Sequence, residues 1–66
     1  MGYKEVTLDE VPENLKNTPE YKSVIDELNE RGCFKSFDLD DYAVYINENG
    51  EFKKSSNGYV IYDLIW

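Results

Sequence analysis

The chain predicts an α+β fold. One amphipathic helix packs on a three-stranded antiparallel β-meander, with a short N-terminal arm or strand. Two observations carry this expectation. Apolar residues at Tyr21, Val24, Ile25 and Leu28 repeat at i, i+3, i+4, i+7, the spacing of one helix face. After residue 40 the chain turns to β-branched and aromatic runs broken by two Gly-ended polar clusters, as in consecutive hairpins.

The helix is the best-specified element. Thr18 supplies an N-cap, Pro19 suits the first helical position, and Glu20 places negative charge where the helix dipole favours it. Gly32 after Arg31 is a C′ stop, and Cys33 is placed for the apolar contact beyond it. The expected span is 19–31. Lys22–Asp26 and Glu27–Arg31 stand at i, i+4 and are expected to pair.

Residues 41–46 read as the first strand of the meander. Asn47-Glu48-Asn49-Gly50 is a turn. With Gly50 left-handed, Ile46 pairs with Phe52 and the apolar face stays continuous. A two-residue turn would place Lys53 there instead. Ser55-Ser56-Asn57-Gly58 is the second turn, and Tyr59 to Trp66 is expected to be the longest strand. Its alternation puts Val60, Tyr62, Leu64 and Trp66 on one face and Tyr59, Ile61 and Ile65 on the other. One helix covers one sheet face. The second must be covered by the N-terminal arm or stand exposed. Residues 3–8 offer a short strand. Thr7-Leu8-Asp9-Glu10 has the form of a capping box, and Pro12 limits the next segment to a short helical turn or irregular arm through about Leu15.

Length and composition bound the function. Sixty-six residues form one domain, 1–66, whose core must be dense in large side chains because so short a chain buries only roughly 60% of its unfolded surface. Six Tyr, three Phe and one Trp supply them. The single cysteine, Cys33, cannot close an intrachain disulfide, so a reducing cytoplasm is expected. The N-terminus lacks the apolar region of a signal peptide, and no apolar run approaches the roughly 20 residues that span a bilayer.

Charge is the strongest functional signal. Fourteen Asp and Glu face seven Lys and Arg, there is no His, and the net charge is −7. Such a chain repels nucleic acid backbones and anionic membranes and favours a partner with a basic surface. Chemistry finds little support. Asp38-Leu39-Asp40-Asp41 fails as a calcium loop, with no Gly at the sixth position and Asn49 at the twelfth. Cys33 comes after a helix C-terminus, where the dipole raises a thiol pKa, and no His is present to activate it. The expectation is therefore a non-enzymatic protein with no catalytic, cofactor-binding or metal-binding residues.

Two candidate surfaces remain for a protein partner. One is acidic: Asp26, Glu27 and Glu30 on the helix back, with Asp38, Asp40 and Asp41. Each group also has an ordinary reading, as a solvated helix back and as a cap or turn. The other is aromatic: Tyr45, Tyr62 and Trp66, provided they share an exposed face, since Tyr and Trp anchor protein interfaces. In size and charge the chain resembles the small acidic inhibitors of phages and mobile elements, including anti-CRISPR proteins, anti-restriction proteins and inhibitors of DNA repair glycosylases. The resemblance involves no motif and carries no residue role over. It implies a nucleic-acid mimic that occludes a basic groove. The alternative is a small accessory or regulatory subunit that binds through its aromatic sheet face. Oligomeric state is left open.

Overall fold

The computed structural model describes residues 2–65. An N-terminal strand β1 (Lys4–Thr7) leads through a 3-10 turn (Leu8–Glu10) and a single helical turn α1 (Glu13–Lys16) into the main helix α2 (Pro19–Glu30). Two further 3-10 turns, Cys33–Lys35 and Leu39–Asp41, bring the chain to β2 (Tyr42–Ile46), and β3 (Tyr62–Leu64) completes the sheet. The sheet is antiparallel with order β1-β2-β3.

α2 ends where its caps dictate. The Thr18 hydroxyl accepts the Tyr21 N–H at 3.3 Å and donates to the Leu15 carbonyl at 2.6 Å, tying α1 to α2. Gly32 takes φ 73°, a left-handed conformation that a side chain would strain, and the helix stops there. Tyr21, Val24 and Leu28 are buried on the sheet, and Ile25 packs beside them half-buried.

Register decides the faces. Val6 lies opposite Val44, and Val44 opposite Tyr62, so Val6, Tyr42, Val44, Ile46 and Tyr62 share the face that α2 covers. Glu5, Thr7, Ala43, Tyr45 and Asp63 form the other face. That second face sets Glu5, Thr7, Tyr45 and Asp63 around Ala43, which is fully buried. The N-terminal segment instead adds a strand at the sheet edge, and Leu8 and Val11 then tuck into the core, at 0% and 3% exposure.

The first hairpin has the expected register, with Ile46 bridged to Phe52 and Gly50 at φ 77°. The Asn47 side chain accepts the N–H groups of Asn49 and Glu51, which holds the turn. The second hairpin repeats this geometry: Ser55 N–H donates to the Tyr59 carbonyl and Gly58 N–H to the Ser55 carbonyl.

The last strand differs from expectation. Its regular part is only Tyr62–Leu64, and Tyr59 is 72% exposed. Residues 52–54 pair with the end of β2 alone, where Lys53 N–H donates to the Tyr45 carbonyl. They then leave it for a short hairpin, Lys54 to Val60. The rest of β2 is thereby free, and Tyr62–Leu64 takes that edge directly. β2 is central, where a simple meander would centre residues 52–54.

Candidate protein-binding surfaces

The helix back presents Asp26, Glu27 and Glu30 to solvent. The expected pairs Lys22–Asp26 and Glu27–Arg31 do not form. Arg31 turns instead to the Tyr62 hydroxyl, which accepts its N–H at 3.4 Å. Among the described residues the one ion pair is Lys54–Glu20, at 3.3 Å. Glu20 is held below the ordinary carboxylate pKa by its own backbone N–H and by Lys54.

The second acidic group is compact. The carboxylates of Asp38, Asp40 and Asp41 lie within 4.8 Å of one another. Their backbone explains part of this. The Leu39–Asp41 turn begins at Asp38, and the Asp41 carboxylate reaches back to accept the Asp38 N–H at 2.9 Å. The Asp41 carbonyl also accepts the Ile65 N–H at 2.9 Å. Asp41 is thus half-buried and structural, while Asp38 and Asp40 are exposed. Close carboxylates are common on acidic surfaces.

The aromatic candidates divide. Tyr45 and Tyr62 lie on opposite faces of the sheet, because Tyr62 pairs with Val44, the neighbour of Tyr45. Trp66 lies outside the described residues. Tyr62 packs edge-on to Tyr42, with ring centroids 6.2 Å apart. Burial pushes its hydroxyl pKa up, and the adjoining Glu27 carboxylate adds to that. The structure therefore joins Tyr62 to Glu27 on the helix, and not to Tyr45.

Tyr45 belongs to a polar cluster on the outer face. Its hydroxyl donates to Asp63 at 2.5 Å, which raises its pKa. The Lys53 ammonium lies 5.8 Å from the Tyr45 ring centroid and 5.5 Å from that of Tyr3, within cation–π range. Comparison with protein-family models, curated proteins and solved structures returns no match. The surfaces must be read on their own chemistry. Sequence reasoning does not group Tyr3, Lys53 and Asp63 with Tyr45. The hairpin register aligns Lys53 with Tyr45, but the position of Tyr3 depends on β1 joining β2 across about 40 residues of chain, which no local pattern reports.

Cys33 is half-buried against the core. Its thiol stands beside the Tyr42 hydroxyl, and this neighbour, with burial, pushes Tyr42 up to about 12. No helix among the described residues is long and apolar enough to cross a membrane.

Proposed function

We propose that this is a non-enzymatic binding protein that occupies a basic, nucleic-acid-binding groove on another protein and so inhibits it, in the manner of phage anti-CRISPR and other anti-defence inhibitors. One observation carries the reading. Asp26, Glu27, Glu30, Asp38 and Asp40 are exposed, and among the described residues none of them has a basic side chain paired to it, so their charge is available to a partner. Exposed carboxylates on a small rigid body attract a channel that evolved to hold phosphates, through the same long-range field. Asp41 holds the turn that positions Asp38 and Asp40. The single Cys33 suits a reducing cytoplasm as the place of action.

The accessory-subunit reading loses its aromatic face with Tyr45 and Tyr62 on opposite sides. Among the described residues it keeps other apolar exposures, such as Tyr59 and Ile65. Capture from a bacterial lysate on the immobilised chain separates the two. The inhibitor reading expects nucleic-acid-binding proteins that are released by competing duplex DNA or RNA. A partner retained against excess nucleic acid and high salt contradicts it.

A further inference from the structure

The sheet has an open edge. β1 pairs with β2 on one side and with no strand on the other, and residues 2–7 line a groove of about 760 Å³ together with Glu10, Pro12 and residues 46–48. Val6, Ile46 and Pro12 give this groove apolar surface. Glu48 lies two residues beyond Ile46, the partner of Lys4, and so stands at one end. Glu10 lies beyond Thr7 and stands at the other. Both glutamates are exposed. An unpaired strand edge offers a row of N–H and C=O groups to an incoming strand, and alternate side chains of that strand fall into the flanking surface.

A second copy suits the edge poorly. Each copy carries −7. Antiparallel self-pairing within one continuous sheet brings residues of the same face together. Centred on Glu5 or Lys4, it sets like charges directly opposite, which destabilises the pair. Centred on Val6, it leaves only residues 5–7 paired.

We propose that the free edge of β1 takes an extended, lysine- or arginine-bearing segment of the protein partner as a fourth strand. The main chain of β1 supplies the hydrogen bonds, and Glu10 and Glu48 select for positive charge at the two ends. This rests on the reading of a basic protein partner and adds the mode of attachment, at the β1 edge rather than on the helix back of Asp26 and Glu30. The probe is an alternating Lys-Val hexapeptide, added to the full isotope-labelled chain and followed by NMR. Shifts in the amides of residues 3–7 and slower amide exchange within β1 are expected. The same peptide N-methylated at alternate positions keeps its charge but loses main-chain donors, and it should bind about tenfold more weakly or worse. Glu10→Lys and Glu48→Lys should each weaken the unmodified peptide by up to about fivefold. Equal binding of the N-methylated peptide, or no shift at residues 3–7, overturns the proposal. Shifts confined to Asp26, Glu30, Asp38 and Asp40 overturn strand addition while leaving the acidic-surface reading standing. A dimer of the free chain with protected β1 amides assigns the edge to a second copy and likewise overturns it.

Discussion

The Asp41 carboxylate accepts the backbone N–H of Asp38 at 2.9 Å, so one of the acidic candidates also closes a turn. Asp41→Lys should lower stability by about 0.5–2 kcal/mol, the range for losing a capping group. Asp38→Lys and Asp40→Lys lie on exposed side chains, although Asp38 begins the turn. Asp26→Lys and Glu30→Lys stand clear of any cap and should stay within about 0.5 kcal/mol. Chemical denaturation of the single variants measures the contrast. Equal stability of Asp41→Lys and Glu30→Lys would show that the cap contributes nothing.

Leu28 has no exposed surface and seats α2 on the sheet. Leu28→Ala should cost about 2–5 kcal/mol, from lost burial and the cavity left behind. On so small a domain this removes a large share of the stability. A variant that melts like the wild type would mean the helix face is not seated as described.

Thr18 links the two helical segments through its two hydrogen bonds. Thr18→Ala should lose about 0.5–2 kcal/mol, and Thr18→Asn should recover part of it, because Asn also caps well. Thermal unfolding of both variants checks the order.

Legibility in the chain differs by element. The helix can be placed because Thr18, Pro19 and Gly32 mark its ends locally. The Ile46–Phe52 register can be placed because only a left-handed Gly50 keeps the apolar face continuous. The edge position of β1 and the burial of Leu8 and Val11 depend on long-range pairing, which leaves no local signature. The surroundings of Tyr62 escape local reading for the same reason. Its face depends on which strand it pairs with, and it pairs with β2 only because residues 52–54 leave that edge early. At the candidate site the exposed carboxylates of α2 are legible from helical periodicity, whereas the capping role of Asp41 is masked by the density of charge around it.

The tyrosines give a pH signature. Tyr21, Tyr42, Tyr45 and Tyr62 all have pKa values raised above the ordinary 10.0, Tyr42 to about 12. A raised phenol binds its proton more tightly in the folded chain. Its contribution to stability is complete below pH 10 and is lost as pH climbs from there through the folded value. Denaturant unfolding should therefore show stability falling between pH 10 and 12. Because the Cys33 thiol is the largest cause at Tyr42, Cys33→Ala should bring one tyrosinate absorbance step to lower pH. An unmoved titration curve would separate the two side chains.

Recognition of a basic partner is proposed to rest on the exposed carboxylates of Asp26, Glu27 and Glu30 on α2 and of Asp38 and Asp40. Association kinetics of the captured partner test it most directly, with the wild type and with Asp26→Lys/Glu30→Lys and Asp38→Lys/Asp40→Lys, each first shown to be folded by circular dichroism. Association rates are expected to fall in both variants, and to fall for the wild type as salt rises from low to physiological strength, since exposed charge steers encounter. Association rates unchanged by either pair of reversals, and insensitive to salt, would contradict it.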